Sequence, residues 1–434
     1  MQYQKRRDLT LLEAKDIQES NYLDREITVD YIIVGGWVAG LHAAQQLLAT
    51  GKTIALIDKS ICGWGMSWRG WGFLTPDSEM WLRQIEDFYW SSLAQDIWAF
   101  WMKGQQSIVD NVHQLKLTVD LRQQDLLLLW RKSAWRTAVK KEHNDRLAIG
   151  LESEFLDAKE LQYHISGKNY TSWLRYDGCY GINPLQYCQA MKSYLLQQWV
   201  QIFEHTSLKD IAHHHILTSH GRINFTQAIF ALGKVTEDID PIKSQNTFGI
   251  QNFITVSEPL TDKQISWLFP DGQEYMCRDT QMVFTYYRLI HDKRLIIGWW
   301  TPISSFSPFE SLSDYTITQV IKEMKENFPL LQSIDFPYYR SGKIEATKDL
   351  MPIIDRDIQF DNHVWIQWAV GLPRAASSGR YAVDLLLRNS SQKDNSLHQV
   401  FAADREFLLS WQTNITFFKS IIFALCNGKT MWIL

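Results

Sequence analysis

Hydrophobic and polar positions divide the chain into recognisable elements. Residues 1–27 are polar and charged and read as an N-terminal arm. The first strong signal is Val29-Asp30-Tyr31-Ile32-Ile33-Val34, a short β-branched run ending in Gly35-Gly36, the pattern of a buried parallel strand. Residues 38–50 (VAGLHAAQQLLAT) predict a helix with small residues at its start and Gly51 as its C-cap. Residues 53–57 (TIALI) predict a second buried strand, ending at Asp58. Strand, helix and strand within about 30 residues make one βαβ unit. A loop rich in Gly, Trp and Ser follows over 61–78, then a mostly helical stretch over 79–116 and mixed short elements over 117–165. Pro184 opens a helix that runs to about residue 198, and 200–203 and 228–232 read as strands. Residues 250–300 carry alternating strands, including 282–289 and 294–297. A helix over 314–327, a strand over 364–367 and a helix over 378–388 complete the pattern. No solenoid period is present.

The turn of the βαβ unit carries chemistry. Gly35-Gly36-Trp37-Val38-Ala39-Gly40 stands where a dinucleotide fold has G-x-G-x-x-G between strand and helix. Gly35 suits the tight turn and Gly40 suits close helix–sheet packing. Asp58 ends the second strand, where a carboxylate accepts from a ribose 2′-hydroxyl and disfavours a 2′-phosphate. The helix N-terminus then offers free N–H groups to a pyrophosphate. One position breaks the pattern: the middle glycine, which lets backbone approach the pyrophosphate, is Trp37.

Composition sharpens that anomaly. The balance is otherwise that of a globular chain, with 45% hydrophobic and 21% charged residues and a net charge of −4. No basic surplus points to nucleic acid. No apolar run reaches the ~18 residues of a membrane span, and the start has no secretory h-region. Cys62, Cys179, Cys188, Cys277 and Cys426 form no CxxC pair, which suits a reducing cytoplasm. Yet 19 of 434 residues are Trp and only 22 are Gly. Glycine is thus about 5%, against the usual ~7%.

The segment Cys62-Gly63-Trp64-Gly65-Met66-Ser67-Trp68-Arg69-Gly70-Trp71-Gly72-Phe73-Leu74 resembles the G-x-G-A-S-G-R-N-G-G-F loop of FAD-dependent amine and amino-acid oxidoreductases, the D-amino-acid oxidase-like superfamily of glycine and sarcosine oxidases and γ-glutamylputrescine oxidoreductase-type enzymes. Later segments match in order: 170–184 (YTSWLRYDGCYGINP), Tyr286-Tyr287-Arg288-Leu289, 294–300 (RLIIGWW), 347–355 and 367–379 (QWAVGLPRAASSG). The likeness covers about 28–400. It implies an α/β fold: a Rossmann-like FAD-binding domain of glutathione-reductase type with an inserted α+β substrate domain on an antiparallel sheet. The expected division is an arm over 1–27, an FAD-binding domain from 28–90, 166–250 and 340–400, a substrate domain from 91–165 and 251–339, and a C-terminal helical segment over 401–434.

The resemblance places cofactor contacts at Gly35, Gly36, Trp37, Val38, Ala39, Gly40, Asp58, Lys59, Ser67, Arg69, Gly72, Phe73, Leu208, Gly233, Gly371, Leu372 and Pro373. Leu208 stands where the family has a Val whose backbone meets adenine. Lys348 and Arg374 are candidates for the positive group beside flavin N1. Successive strand residues face opposite ways, so either Tyr287 faces the substrate cavity or Tyr286 and Arg288 face it together. Arg288 is a candidate carboxylate clamp. Asp349 and Asp355 are amine-binding or turn-capping candidates. His213-His214-His215 reads as an exposed run, and no metal site is expected.

The departures from the family are systematic, because tryptophan stands where the family has glycine. Trp37, Trp68, Trp71, Trp173, Trp199, Trp299, Trp300 and Trp368 occupy such positions, and Trp81, Trp90, Trp130 and Trp135 are further candidates. One cause fits all of them: a gene in which UGA specifies glycine, translated with a table in which UGA specifies tryptophan. Moving these twelve would change 19 Trp and 22 Gly to 7 and 34. With the glycines restored, the expected activity is oxidation of an amine or amino acid by hydride transfer to FAD. The product is an imine that water hydrolyses, and the acceptor is oxygen or another carrier. The alternative, if the tryptophans are authentic, is a non-catalytic binding or scaffold protein on a flavin fold.

Overall fold

The computed structural model describes residues 7–9, 17–76, 82–130, 136–168, 170–279, 285–301, 310–347, 349–367, 371–387 and 396–405. In chain order its main elements are β1 (Glu26–Val34), α1 (Val38–Leu47), β2 (Ile54–Ile57), α2 (Ser91–Gln114), β3 (Leu126–Trp130), β4 (Ser172–Tyr176), α3 (Pro184–Gln197), β5 (Gln201–Phe203), β6 (Arg222–Ala231), β7 (Thr247–Pro259), β8 (Met276–Asp279), β9 (Thr285–Ile290), β10 (Arg294–Thr301), β11 (Tyr338–Thr347), β12 (Ile353–Arg356), β13 (His363–Gln367) and α4 (Leu372–Leu387).

The first sheet is built on parallel strands in the order β5-β2-β1-β6, with β13 beside the C-terminal half of β6. Its apolar runs are buried as the sequence predicts: all four residues of β2 are covered, and Ile33 pairs with Leu56 on one side and Ile229 on the other. The N-terminal half of β6 turns to an antiparallel partner, His215–Thr218. Gly51 takes φ +66° and ends the turn after α1, as expected. Asn183 caps α3 by accepting from Leu185 and Gln186 N–H at 3.1 and 3.2 Å, with Pro184 in the first turn.

The second sheet has nine strands in the order Arg7–Asp8, β11, β7, β10, β9, β8, β3, β4, Glu154–Asp157. All its pairings are antiparallel except Arg7–Asp8 with β11 and β8 with β3. Among the described residues three sheets are therefore present: a mostly parallel nucleotide-type sheet, the nine-stranded, mostly antiparallel one, and a small antiparallel sheet of Phe73–Leu74, Tyr180–Ile182 and Leu121–Gln123.

Several elements sit differently from the division read in the sequence. Strand β4 and most of β11 fall within 166–250 and 340–400, yet both lie in the antiparallel sheet. The reason is burial: β4 is covered at four of its five residues, so no alternation marks its sheet. Helix α2, within 91–165, packs instead on the helices of the parallel sheet. Its stripe Leu93, Ile97, Trp101, Gly104 and Ile108 is buried, Ser377 Oγ donates to Phe100 O at 2.5 Å, and Gln45 Nε2 donates to Asn111 Oδ1 at 2.6 Å. Helix α4 begins at Leu372 rather than 378, because Pro373 falls in the first turn, where its missing N–H is no loss. The helix expected over 314–327 extends back to Glu310. The N-terminal arm is tied down, with Leu23 N–H donating to Thr206 Oγ1 at 3.0 Å. Beyond Arg405 the C-terminal segment lies outside the described residues, as do Trp81, Trp135, Lys348, Trp368 and Cys426.

Candidate cofactor crevice

The site is built at the carboxyl ends of β1, β2 and β6, the place where an open α/β sheet binds its ligand. Gly35 has φ +113°, and a Cβ there would lie 2.2 Å from Ala231 O. A Cβ on Gly40 would lie 1.9 Å from Gly35 O. Only glycine lets α1 start this close to the strand it leaves. Val38 and Ala39 are buried in the first turn of α1. Trp37 is the N-cap and offers no side-chain acceptor; Ser67 Oγ from the following loop caps Val38 N–H at 3.2 Å instead.

Asp58 locks the turn. Its Oδ2 accepts from Gly36 N–H at 2.7 Å and its Oδ1 from Ser60 N–H at 2.8 Å. A carboxylate has about four lone-pair sites, so both oxygens keep capacity for ribose hydroxyls. Burial pushes this carboxyl up, against the pull of the Ser60 and Gly36 N–H groups. Thr206 N–H donates to Asp58 O at 2.8 Å, which brings Leu208, two residues on, to the same end of the sheet. Lys59 is exposed beside Asp58. Beneath the turn, Glu204 accepts from Cys62 N–H at 2.6 Å and pairs with Lys192 Nζ at 3.1 Å, both side chains being buried. No sequence motif marked this pair, because its partners join a loop to α3 and the end of β5. Burial pushes the Cys62 thiol up, so it is no reactive thiolate.

Side chains fill the crevice above these backbone features. The Trp37 indole lies over the turn and donates from Nε1 to Ala231 O at 2.5 Å. Trp68 stacks on Trp64 with centroids 4.2 Å apart, under the Arg340 guanidinium. Trp71 stacks on Tyr286 at 4.0 Å and presses on β10, where a Cβ on Gly298 would lie 1.6 Å from its Nε1. That Nε1 is buried with no acceptor among the described residues. Met66 covers Gly233, whose added Cβ would lie 1.8 Å from Met66 Cε. Arg69 is half-buried over Gly342 and donates to Lys343 O at 3.3 Å. Two clefts persist, one beside the crevice lined by Trp71, Asp120, Asn183 and Arg288, the other away from it, lined by Tyr170, Tyr287 and Glu323. Each admits little more than a water molecule. The turn and Asp58 fit a dinucleotide; the space above them, filled by the indoles of residues 37 and 71, does not.

The strand β9 resolves the alternation. Tyr286 faces the crevice against Trp71 and Phe73, and Arg288 lies on the same side. Tyr287 lies on the far side, with its hydroxyl 3.4 Å from that of Tyr170 in the core of the antiparallel sheet. The Arg288 guanidinium donates to Trp71 O at 3.0 Å, Ile182 O at 2.7 Å and Leu289 O at 3.2 Å, so it ties the 70–74 loop to the sheet. Gly72 (φ +75°) sits under it, where a Cβ would meet Ile182 O at 1.9 Å.

Gly371 takes φ +91° ahead of α4, and Leu372 and Pro373 form that helix's buried first turn. Arg374 is buried, not a surface charge, with its guanidinium over the Trp101 ring. Asp349 is held bidentately by Arg405 at 2.8 and 2.9 Å, and Asp355 accepts from Arg356 and Ala403 N–H, so neither stands ready for an amine. His213 and His214 are exposed and stacked, and no group of His, Cys, Asp and Glu among the described residues is arranged to hold a metal. Among those residues, no helix is long and apolar enough to cross a membrane.

The family described as DAO, FAD dependent oxidoreductase, matches residues 30–385. The chain is 22% identical to γ-glutamylputrescine oxidoreductase of Escherichia coli over 393 residues, covering 88% of this chain and 90% of that one. It is 21% identical to a probable oxidoreductase, OrdL, of Haemophilus influenzae, covering 75% of each. Among solved structures it is similar to glycine oxidase from Geobacillus kaustophilus, with a TM-score of 0.73 at 16% identity over 87% of this chain and 99% of that one. It is also similar to L-amino acid deaminase from Proteus vulgaris, with a TM-score of 0.68 at 15% identity over 90% and 96%.

Proposed function

The chain belongs to the DAO family of FAD-dependent oxidoreductases, and from that premise we propose that its substrate is an amine or an amino acid. The reaction removes two electrons and a proton from a carbon beside nitrogen and a second proton from the nitrogen, leaving a C=N bond. Water then yields a carbonyl compound and ammonia or a smaller amine. Oxygen or another carrier takes the electrons in the end. One observation carries the reading: the likeness to γ-glutamylputrescine oxidoreductase runs through nine-tenths of both chains, so it spans the antiparallel sheet as well as the nucleotide turn. In support, β9 sets the Tyr286 ring edge-on to Phe73 and the Arg288 guanidinium on Ile182 O, beside the 70–74 loop. FAD is the family's cofactor, and the indoles of residues 37 and 71 fill the space above the turn that would hold it.

The filled crevice favours a second reading for the chain as it stands, that of a non-catalytic protein on the same fold. The second reading is tested by whether the unaltered chain retains FAD at all, and the first by anaerobic mixing of flavin-loaded protein, carrying Trp37→Gly, Trp68→Gly and Trp71→Gly, with primary and secondary amines and amino acids. Bleaching of the flavin band by at least one of them supports the oxidoreductase. A loaded protein that no amine bleaches overturns it.

A further inference from the structure

The tryptophans fall into two physical groups. Trp98, Trp101, Trp130 and Trp365 lie inside the cores among aliphatic and aromatic neighbours, as large residues ordinarily do. Trp199 does not fit that description, while Trp37 and Trp68, although buried, and the half-buried Trp71 sit at the crevice, over the glycine turn and in the loop that follows it. Trp199 follows the C-cap of α3 with φ +64° and is 90% exposed. Val200 N–H donates to Leu195 O at 3.0 Å and Trp199 N–H to Leu196 O at 3.1 Å. Those two bonds define a Schellman ending, whose left-handed residue is ordinarily glycine. An indole there meets the Cβ penalty of the left-handed region and, being exposed, gains no packing in return. At an exposed helix end, lost catalysis gives no reason for a tryptophan.

The crevice group shows the same mismatch in another form. Trp37 occupies the position where backbone must approach a pyrophosphate, and as an N-cap it caps nothing. Trp71 presses its indole onto the bare backbone of Gly298. Trp68 follows Ser67, the residue that caps α1 from the same loop. Meanwhile Gly35, Gly40 and Asp58, whose geometry serves a dinucleotide, are intact. Loss of a cofactor by neglect would erode these too; a fault confined to exchanges of glycine for tryptophan would not.

We propose that the functional form of this protein has glycine at positions 37, 68, 71 and 199, its gene using UGA for glycine where the present chain has tryptophan. The inference rests on membership of the FAD-dependent family and not on amine chemistry. Its test begins with the gene and with the mass of the protein isolated from its own host. UGA codons at the four positions, with a mass lower by four Trp-to-Gly exchanges at least, are expected. UGG codons there overturn the proposal outright. Independently, the Trp37→Gly/Trp68→Gly/Trp71→Gly protein is expected to retain FAD through gel filtration, on the order of 100-fold more tightly than the tryptophan chain. A folded triple variant that stays colourless counts against it. Trp199→Gly alone, which touches no cofactor, is expected to raise the melting temperature by roughly 1–2 °C. A fall in melting temperature overturns the assignment at 199. Flavin retained but bleached by no amine would leave this inference standing and defeat the proposed substrate class.

Discussion

Two sides of helix α1 obey opposite rules. On its packing side, backbone touches backbone: a Cβ on Gly379 of α4 would lie 2.0 Å from Ala39 O, and one on Gly40 1.9 Å from Gly35 O. Glycine is required there, and glycine is present. On its crevice side, the family pattern asks for glycine at 37, 68 and 71, and indoles fill the space. The fold survives because the sheet and its helices need only the first set. Room for a cofactor is a separate property, carried by residues whose absence of side chain supports nothing else. A chain can therefore keep the architecture of its family and lose the cavity.

The largest effects separate core indoles from crevice indoles. Trp299 is fully buried and stacked on Phe253 at 5.2 Å, so Trp299→Gly leaves a cavity in the antiparallel-sheet core and costs about 3–5 kcal/mol. Trp71→Gly, at a half-buried position, loses one stacked pair, worth about 0.5–1.5 kcal/mol beyond its buried area. Urea midpoints are expected to differ accordingly, with Trp299→Gly far the more damaging. Equal losses would break the distinction. A near-neutral Trp299→Gly would move residue 299 into the crevice group, where the family resemblance puts it.

On the packing side, Gly40→Ala is expected to cost about 1–3 kcal/mol or more, because its new Cβ meets a carbonyl rather than a yielding side chain. A drop in urea midpoint with unchanged m-value is the expected result. A neutral outcome would mean that α1 shifts freely on the sheet, and the argument for close approach would fail.

How far these features were legible in the sequence depends on their range. Strands β1 and β2, the helix between them, Gly51 and Asp58 were readable, because β-branched runs, a C-cap and a terminal acid are local signals. So was α3, from Pro184. Strand β4 carries no alternation to assign it to a sheet, and α4 begins with what looks like a breaker, Pro373. The identity of neighbours was invisible: Trp37 finds Ala231, Cys62 finds Glu204 and Arg405 finds Asp349 only after the chain has folded. Arg288 looked like a carboxylate clamp because its residue type allows it; three carbonyls claim it instead.

The packing side also carries a pH dependence. His42 on α1 is fully buried against Tyr187, its Nε2 lying 2.8 Å from the tyrosine hydroxyl, and burial lowers its pKa from 6.5 to about 3. The folded state thus refuses a proton that the unfolded state binds below pH 6.5. Stability is complete above that pH and falls as pH drops from 6.5 toward 3, by up to ~1.4 kcal/mol per unit. His363, lowered to about 4, adds to the same slope. His42→Gln is expected to reduce the loss between pH 6.5 and 5 measured by urea midpoint. An unchanged slope would assign the effect elsewhere.

The smallest effect tests whether a tryptophan outside the crevice belongs with its glycine-like group. Trp90 is the N-cap of α2, half exposed, with φ −62° and ψ 155° and no side-chain bond to the helix. Its carbonyl already accepts from Leu93 and Ala94 N–H, so the backbone geometry of a cap is in place without a capping side chain. Trp90→Ser supplies the missing acceptor and is expected to stabilise by about 1 kcal/mol; Trp90→Gly, a permitted cap, falls short of Ser by only a few tenths. If both variants instead lose stability, the indole packs usefully on its surroundings, and residue 90 joins the core tryptophans on the far side of the comparison.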